Sequence, residues 1–418
     1  MIKRVEEEKD KEEVLDLMEP LIADWFDSKF DALTEPQGYA IPLIHERKNA
    51  LVSSPTGSGK TLTAFLSIIN ELFKLDKKGE LEDKIYCVYV SPLKALANDI
   101  HKNLEKPLQE IQDLADERDV KVPYIRTAIR SGDTPQNERR KMAKNPPHIF
   151  ITTPESLALA LSSPKFREKF DDVQYFINDE IHDISSSKRG VYLSLNTERL
   201  EQHINGDMTR IGLSATQAPI KEIAKFLGGY ENGEPRPVNI IEVMGEKNLD
   251  LSVISPVDDM TLLPYEIVNS RMYDQLKEMV EKHRTTLIFT NTRSGAENVA
   301  YKLRDRGVED VAAHHGSLSK ETRLEVEDDL KYGDLRAVVS STSLELGIDI
   351  GYIDLVVQVN SPKTVAKGLQ RVGRAGHSIG ETSKGRIVVF EKDDLVECTA
   401  LTHKAYQHDI DRVSIPEN

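Results

Sequence analysis

The sequence predicts an α/β protein with two tandem domains, each a mostly parallel sheet flanked by helices. At 418 residues the chain exceeds the usual size of one domain. Strand-like and helix-like segments alternate from residue 50 onward, as in right-handed crossovers onto a parallel sheet. The alternation breaks at Gly228-Gly-Tyr-Glu-Asn-Gly-Glu-Pro-Arg-Pro237 and then resumes. We therefore expect an N-terminal helical extension at 1–30, a first domain at 31–235 and a second at 236–418.

The elements of the first domain follow from apolar runs bounded by turn residues. A charge run at 6–13 leads into apolar residues 14, 15, 17 and 18 at helical spacing, which predicts a solvated leading helix. Another helix is expected to begin near Leu33, just upstream of the first strand. Strands are expected at 50–52, 85–90, 125–129, 149–152, 173–178 and 210–213, with helices beginning at 62, 93, 134 and 154.

The second domain repeats the same alternation without a glycine-rich loop of its own. Strands are expected at 286–289, 311–314, 336–339, 355–359 and 386–390. Helices are expected to begin at 293, 318 and 365.

The composition is that of an ordinary globular protein, with 39% hydrophobic and 30% charged residues. A net charge of −15 excludes a generally basic surface, so any nucleic acid has to bind in a local groove. Cys87 and Cys398 lie in apolar segments, which predicts buried thiols rather than a disulfide or a metal site. No apolar run reaches the length of a membrane span and the start has no signal-peptide core, so we expect a cytoplasmic protein with no membrane partner.

The stretch from Ser54 to Thr61 has the pattern of a phosphate-binding loop between a strand and a helix. Gly57 and Gly59 let the backbone turn tightly, so that N–H groups converge on an anion at the helix N-terminus. Lys60 then reaches the outer phosphates, and Thr61 offers its hydroxyl to Mg²⁺. Ser54 stands where the pattern usually has glycine, and a chance glycine-rich turn is the alternative interpretation. We predict a nucleoside triphosphate site whose residues are Thr56, Gly57, Ser58, Gly59, Lys60 and Thr61.

Triphosphate hydrolysis also requires a metal anchor, a group that orients water and a cation for the developing charge. Asp179 and Glu180 follow an apolar run, which places them at the carboxyl end of a strand, where ligands of α/β sheets bind. We assign Asp179 to Mg²⁺ and Glu180 to the attacking water; a plain acidic loop is the alternative. Arg374 is the predicted arginine finger. Arg371 is its helper or a structural neighbour, and a surface salt bridge is the alternative interpretation.

Ser214-Ala-Thr216 ends another predicted strand, close by inference to Asp179 and Glu180. Its small hydroxyls are suited to sensing the phosphate state of the nucleotide. The alternative is an ordinary turn at the end of a strand.

These segments, taken in order, resemble the motifs of a superfamily-two helicase core, over roughly residues 25 to 395. Further details resemble the large helicase-related (Lhr) family, including a last motif that ends in His377 where most related helicases have a second arginine. The matching segments are Gln37, Ser54–Thr61, 91–98, 130–135, 152–156, 179–182, 188–190, 214–216, 289–291, 341–349 and 370–377.

The resemblance implies two RecA-like domains with ATP and Mg²⁺ in the cleft between them. Gln37 would then bind the adenine edge through its amide, with an upstream aromatic stacked on the ring. Phe30 is our first choice for that aromatic and Phe26 the second, although either is equally compatible with the core. The second domain would contribute Ile348 and Asp349 at the ribose, and Arg374 and His377 at the phosphates.

The resemblance also implies contacts with single-stranded nucleic acid, just past strand ends where hydroxyls and N–H groups can hold phosphates. His314 and His315 are adjacent, but a metal site there is disfavoured because no other ligands cluster nearby. The implied contact residues are Ser91, Lys94, Asn98, Thr152, Thr153 and Glu155 in the first domain, and Thr290, Asn291, Arg293, His315, Gly316, Ser341 and Thr342 in the second.

By resemblance, the expected function is that of an ATP-dependent 3′-to-5′ translocase and helicase, acting as a monomer on DNA or DNA/RNA hybrids. DNA is favoured over RNA as the partner. An RNA-remodelling helicase is one alternative, and an ATP-gated clamp or annealing module that does not unwind is another. Members of the family carry a winged-helix domain and further modules downstream, so we expect these 418 residues by themselves to hydrolyse ATP weakly and to unwind poorly.

Overall fold

The computed structural model divides the chain into two compact units, Met1–Gly245 with Arg412–Asn418, and Glu246–Asp411. For residues 94–100, 102 and 103 it describes the backbone only. The described residues are 2–5, 7–55, 57–92, 94–215, 219–243, 248–345, 350–376, 382–407, 409–412 and 414–416.

The first unit contains an eight-stranded sheet in which every neighbouring pair is parallel, and a separate two-stranded hairpin. Its strands are β1 Ile2–Arg4, β2 Ala50–Ser53, β3 Cys87–Val90, β4 Thr127–Arg130, β5 Ile149–Thr152, β6 Tyr175–Asn178, β7 Thr209–Ser214, the hairpin strands β8 Tyr230–Glu231 and β9 Glu234–Pro235, and β10 Val238–Glu242. The order across the sheet is β1-β10-β2-β7-β6-β3-β5-β4.

The helices of the first unit alternate with these strands, as the crossover pattern predicts. A short 3₁₀ turn, Glu168–Phe170, precedes β6. The helices are α1 Lys11–Leu15, α2 Pro20–Lys29, α3 Glu35–His45, α4 Lys60–Lys78, α5 Lys94–Glu117, α6 Gln136–Lys144, α7 Pro154–Leu161, α8 Pro164–Arg167, α9 Ile181–Ser185, α10 Lys188–Glu201 and α11 Ile220–Gly228.

Successive side chains of the central strands enter two different cores, because side chains alternate between the faces of a strand. In β3, Cys87 and Tyr89 pack with α2, α3 and α4 on one face of the sheet. Val88 and Val90 pack with α7 and α10 on the other. Both faces are therefore covered, which explains why β2, β3, β5 and β6 are buried along their whole length.

The N-terminus and the predicted domain boundary are corrected by the sheet. The predicted helical extension begins with a strand, since β1 pairs with β10 from Ile2 opposite Val238 to Arg4 opposite Ile240. Its helices are not simply solvated, because Val14 is fully buried in the core.

The boundary predicted after residue 235 is too early, since β10 lies between β1 and β2 and completes the first sheet. The turn-rich segment forms the β8–β9 hairpin before β10 instead of a linker.

The second unit contains a six-stranded sheet that is parallel throughout, in the order β11-β16-β15-β12-β14-β13. Several of its helices begin at a side-chain cap; for example, Thr292 Oγ1 accepts from the N–H of Gly295 at 3.0 Å. The strands are β11 Leu249–Ile254, β12 Thr286–Phe289, β13 Val311–His314, β14 Ala337–Ser340, β15 Leu355–Val359 and β16 Ser383–Val388. The helices are α12 Tyr265–Lys282, α13 Arg293–Asp305, α14 Lys320–Tyr332, α15 Val365–Val372 and α16 Lys392–Tyr406.

The predicted alternation is confirmed in both units, and four predicted strands, 149–152, 286–289, 311–314 and 355–359, match the structure residue for residue. The strands β1, β8, β9, β10 and β11 were not predicted. In the part of the chain that the structure describes, no helix is both long and apolar enough to cross a membrane.

A buried arginine near the start of β7 connects this strand to two helices of the first unit. Arg210, on β7, is 1% exposed and donates to Glu198 Oε1 at 2.9 Å and to Glu201 Oε2 at 2.9 Å. It also donates to the carbonyl oxygens of Leu227 and Gly228, at 3.2 and 2.9 Å. This one side chain therefore links β7, α10 and the end of α11.

We expect Arg210→Met to lower the free energy of unfolding by about 3 kcal/mol, because Glu201 and the carbonyl group of Leu227 lose their hydrogen-bond donor, while Glu198 and the carbonyl group of Gly228 keep only Arg236. Thermal melting of both proteins measures the change. Arg386→Met is the control, since Arg386 pairs with the partly exposed Asp250 and the substitution should cost about 1 kcal/mol or less. Equal melting temperatures for Arg210→Met and the unsubstituted chain would contradict this role.

Candidate nucleotide and nucleic-acid sites

The predicted phosphate loop lies between β2 and α4 with the expected backbone geometry. Gly57 and Gly59 have φ angles of 80° and 81°, in the left-handed region that favours glycine. Gly59 is also the N-cap of α4, so the helix begins at Lys60 directly after the turn. The positive end of the α4 dipole thus lies at the loop, as an anion site requires. Thr56 lies outside the described residues.

The serine that replaces the usual first glycine contributes a hydrogen bond within the loop. Ser54 Oγ and Ser58 Oγ are 2.7 Å apart, and Ser58 Oγ donates to the carbonyl oxygen of Pro55 at 2.8 Å. The backbone N–H of Ser54 donates to the carbonyl oxygen of Ser214 on β7 at 3.1 Å. The loop therefore accommodates serine in place of glycine, because the Ser54 hydroxyl forms a hydrogen bond with the hydroxyl of Ser58.

Lys60 is held at the loop rather than extended into solvent. Its side chain is largely buried, and Nζ donates to the carbonyl oxygens of Ser54 and Pro55 at 3.0 and 3.3 Å. Thr61 follows it in the first turn of α4. The ammonium group thus lies where the phosphate loop would hold a phosphate.

The acidic pair lies buried at the carboxyl end of β6. Asp179 Oδ2 accepts from the hydroxyl of Tyr89 at 2.5 Å, and Asp179 Oδ1 accepts from the N–H of Glu180 at 2.9 Å. Glu180 has a φ of 46°, an uncommon value for a residue with a side chain and one that is enriched at functional sites. Tyr89 was not predicted to contribute, although a tyrosine in the otherwise apolar β3 was a signal for it.

Two features of this pair fit a divalent cation such as Mg²⁺. Burial, reinforced by the negative charge of Glu180, raises the pKa of Asp179 to about 7, against the opposing effects of Tyr89 and Lys60. Among the described residues, Glu180 Oε2 is buried with no hydrogen-bond partner. The described residues include no group of three or more potential metal ligands. Mg²⁺ usually takes one or two protein carboxylates and fills the rest of its coordination shell with phosphate and water.

Ser214 lies close to the acidic pair, and a histidine connects them. Nδ1 of His182 accepts from the N–H of Ala215 at 3.2 Å and lies 3.2 Å from Ser214 Oγ. The same Nδ1 is 3.6 Å from Glu180 Oε2. The predicted proximity of Ser214 to Glu180 is therefore confirmed, and His182 is the link that the sequence interpretation did not assign. Thr216 lies outside the described residues.

The residues expected at the base differ in accessibility. Gln37 Oε1 accepts from the N–H of Thr34 at 2.8 Å. A β-carbon added to Gly59 would lie 3.4 Å from Gln37 Nε2, so the amide lies against the phosphate loop. Phe30 is 37% exposed, whereas Phe26 is fully buried and packs against it with centroids 4.8 Å apart. Phe26 is therefore a core residue and cannot stack on a base. Phe30 stays the candidate.

The residues expected to contact nucleic acid in the first unit follow β3 and β5. Thr152 Oγ1 donates to the carbonyl oxygen of Arg130 at 2.7 Å, and Thr153 is the N-cap of α7. Ser91 N–H donates to the carbonyl oxygen of Thr152 at 3.0 Å, which joins the two strand ends. The side chains of Lys94 and Asn98 lie outside the described part of the structure.

Glu155 is paired with an arginine that sequence reasoning missed. Arg189 Nε and Nη2 donate to the two carboxylate oxygens of Glu155 at 2.6 and 3.2 Å, and Nη2 also donates to the carbonyl oxygen of Pro92 at 3.0 Å. Burial alone would raise the pKa of Glu155, but the hydrogen bond and charge of Arg189, together with hydrogen bonds from the backbone of Glu155 and from Thr153, outweigh it and leave the pKa below its ordinary value. Arg189 therefore connects the segment after β3 to the start of α7.

In the second unit the two predicted arginines are buried and share one partner. Arg371 is 3% exposed, so the alternative of a surface salt bridge is wrong. Its guanidinium donates to Gln358 Oε1 at 2.5 Å and to Glu345 Oε2 at 3.2 Å. Arg374 is 2% exposed, and its Nε donates to the main-chain oxygen of Glu345 at 3.2 Å. Ile348, Asp349 and His377 lie outside the described residues.

The expected nucleic-acid residues of the second unit follow β12, β13 and β14. Asn291 Nδ2 donates to the carbonyl oxygen of Ser361 at 2.9 Å, and Arg293 Nη1 donates to Ser317 Oγ at 2.6 Å. His315 Nε2 lies 2.8 Å from Glu297 Oε1. An added β-carbon at Gly316 would meet no atom within 4 Å, so the backbone there is open to a ligand. The remaining residues, Thr290, Ser341 and Thr342, lie at the ends of β12 and β14.

His314, beside His315, has a different environment. It is fully buried, with Nδ1 2.7 Å from Ser343 Oγ and Nε2 3.0 Å from Glu327 Oε1. The two histidines thus pair with different carboxylates, on α14 and on α13.

Two family models match the chain, one for each unit. The DEAD/DEAH box helicase model matches residues 34–225, and the helicase conserved C-terminal domain model matches residues 270–378. Both matches lie within single units as the structure divides them. The fold and these sites define the class, which is that of the superfamily-two helicases with two tandem RecA-like domains.

Individual relatives narrow the class to one family. An ATP-dependent helicase Lhr-Core of Methanothermobacter thermautotrophicus is 55% identical over 100% of this chain and 49% of its own length. The structure of Mycobacterium smegmatis helicase Lhr bound to ssDNA and AMP-PNP is 43% identical, with a TM-score of 0.89, covering 97% of this chain and 52% of that chain. Dbp5 of S. cerevisiae, 20% identical with a TM-score of 0.69, covering 98% of this chain and 96% of that chain, shares the fold.

The chain belongs to the Lhr family of helicases. It spans about half the length of the curated Lhr-Core relatives, 49% in the M. thermautotrophicus protein.

Proposed function

We propose that this chain is the ATP-hydrolysing motor core of a nucleic-acid translocase and helicase that moves 3′ to 5′ on single-stranded DNA. The observation that carries the proposal is the meeting of the phosphate loop and the acidic pair at one edge of the first sheet. Their strands, β2 and β6, are separated only by β7, and the charge of Lys60 acts on the pKa of Asp179. This is the arrangement that hydrolysis of a nucleoside triphosphate requires.

Each residue then has a definite role in the proposed reaction. The loop N–H groups and Lys60 bind the phosphates, and Thr61 and Asp179 hold Mg²⁺. Bound Mg²⁺ would neutralise charge on the phosphate oxygens. Glu180 orients the attacking water. His182, which lies between Glu180 and Ser214, helps to position Glu180. Arg374, assisted by Arg371, meets the negative charge that grows on the transferring phosphoryl group.

Single-stranded nucleic acid is the proposed partner, with DNA favoured. The structure of the M. smegmatis relative has ssDNA and AMP-PNP bound. In this chain, Ser91, Thr152 and Thr153 follow neighbouring strands on the same sheet edge as the phosphate loop. Hydroxyls and helix N-termini hold phosphates without a generally basic surface, which suits a chain of net charge −15.

The proposal is tested by ATPase rates with no nucleic acid, with single-stranded DNA and with single-stranded RNA, all at one salt concentration. Strong stimulation by DNA is expected. Stronger stimulation by RNA would favour an RNA-remodelling helicase, and strand binding without stimulation would favour an ATP-gated clamp. Absence of hydrolysis under every condition would refute the motor.

Arg189 yields a separate prediction for strand binding. Arg189 fixes the position of Glu155 relative to the segment after β3. We therefore expect Arg189→Ala to weaken binding of single-stranded DNA about fivefold, equivalent to about 1 kcal/mol. Titration with a fluorescent oligonucleotide at several salt concentrations measures this. If Arg189 only positions its neighbours, the salt slope stays unchanged, whereas a direct phosphate contact would reduce it by about 0.7.

The control is Arg199→Ala on the same helix, because Arg199 donates to Asn196 and has no assigned role at the strand ends. Its affinity should match that of the unsubstituted chain. Equal affinities for all three proteins would remove Arg189 from the site.

A further inference from the structure

Glu345 lies between two groups of residues to which the proposed function gives separate roles. On one side it meets Arg371 through its carboxylate and Arg374 through its main-chain oxygen, both at 3.2 Å. On the other it follows Ser341 and Thr342, the expected nucleic-acid contacts after β14. Neither the sequence motifs nor the comparisons assign Glu345 a role.

The environment of Arg371 makes the carboxylate of Glu345 important for its position. A guanidinium that is 3% exposed needs a compensating charge, all the more because Nε of Arg371 has no hydrogen-bond partner among the described residues. Gln358 Oε1 supplies one neutral acceptor at 2.5 Å, and the ring of Phe289 lies 5.2 Å from the guanidinium carbon. Glu345 supplies the negative charge. Its carboxylate therefore determines where the guanidinium of Arg371 rests.

The backbone carries any movement of Thr342 to Glu345. The N–H of Glu345 donates to the carbonyl oxygen of Thr342 at 3.3 Å, and the N–H of Leu344 donates to Ser340 Oγ at 3.3 Å. Leu344 is fully buried and anchors this turn at the end of β14. A shift of Thr342 on contact with a phosphate must therefore move Glu345 or break its turn.

We propose that Glu345 is a positioning residue that couples nucleic-acid contact at Ser341 and Thr342 to Arg371 and Arg374. The inference rests on the proposed function, since it assumes that the arginines act on the nucleotide. Strand binding places the turn, the turn places Glu345, and Glu345 places the arginines for hydrolysis.

The test is Glu345→Gln, which keeps the size of the side chain and the main-chain oxygen but removes the charge. The readout is the ratio of the ATPase rate with single-stranded DNA to the rate without it. This ratio does not depend on the fraction of correctly folded protein, because both rates scale with it. We expect the ratio to fall at least fivefold, with the KM for ATP changed less than twofold.

Asp274→Asn is the matched control, because Asp274 also pairs with an arginine of the same unit, Arg306, at 2.8 Å. Its stimulation ratio should equal that of the unsubstituted chain. An unchanged ratio in Glu345→Gln, with hydrolysis intact, would overturn the role of Glu345 alone. Absence of hydrolysis in the unsubstituted chain would instead refute the proposed function, and hydrolysis without stimulation would refute the coupling.

A double-mutant cycle separates positioning from an independent effect. If Glu345 acts through Arg371, then adding Glu345→Gln to Arg371→Gln should change the DNA-stimulated rate less than twofold. If the two substitutions multiply their effects, Glu345 does not act through Arg371 and the proposal fails.

Discussion

Replacing Lys60 by alanine is expected to reduce ATP turnover about a hundredfold or more. The ammonium group of Lys60 is held at the loop by the carbonyl oxygens of Ser54 and Pro55, within reach of the phosphates. Without it, the phosphate loop loses a side-chain cation whose charge acts on Asp179, so we expect both binding and charge stabilisation to suffer. Steady-state phosphate release, together with binding of a fluorescent ATP analogue, measures the two contributions.

Lys77→Ala is the control for this substitution, because Lys77 is on the same helix but 70% exposed, in a pair with Glu19. It should keep full activity. Melting temperatures establish that both variants are folded. Turnover in Lys60→Ala equal to that of the control would remove Lys60 from the nucleotide site.

Replacing Arg374 by alanine should have the second large effect, a loss of about a thousandfold in turnover with ATP binding retained. The guanidinium is buried, and its bond to the main-chain oxygen of Glu345 restricts its orientation. A group that acts only on the developing charge changes kcat rather than ground-state affinity. Single-turnover hydrolysis and equilibrium binding of ATP distinguish the two.

Arg374→Lys sharpens the result, because lysine restores the charge without the planar fork and should recover only part of the rate. Arg304→Ala, an exposed arginine in the last turn of α13, is the control and should behave as the unsubstituted chain. Parallel loss of ATP binding and turnover in Arg374→Ala would assign Arg374 to binding. Unchanged turnover would exclude it as the arginine finger.

Motifs whose chemistry is local were predictable from sequence. The loop 54–61 needs left-handed glycines before a helix, and that requirement is visible in the order of the residues themselves. The position of Asp179 and Glu180 at the carboxyl end of β6 was predicted for a similar reason. The apolar run before them has the length of a strand, and the charged pair marks where it ends. Ser214 could be placed near them because both segments end parallel strands.

Predictions that depended on burial were less successful. Phe26 lies in α2 and Phe30 is the C-cap of that helix. Only the packing shows that Phe26 is buried in the core while Phe30 is 37% exposed. Arg371 could not be recognised as buried, because a charged side chain in an amphipathic helix normally faces water. Arg189 and Tyr89 were missed because their partners, Glu155 and Asp179, are far away in sequence.

Local patterning was therefore enough for the α/β class, the two-domain organisation and the phosphate loop, since these depend on spacing within short segments. The order of strands depends on which apolar faces pack together, and that is a property of the whole chain. Tertiary structure alone brought β10 into the first sheet and put the residues expected to bind the nucleotide at the neighbouring ends of β2, β7 and β6. The same order, β2-β7-β6-β3-β5, puts the residues expected to contact nucleic acid at the ends of the neighbouring β3 and β5. Two sets of residues from separate stretches of sequence thereby lie along one sheet edge, because parallel strands end on the same side.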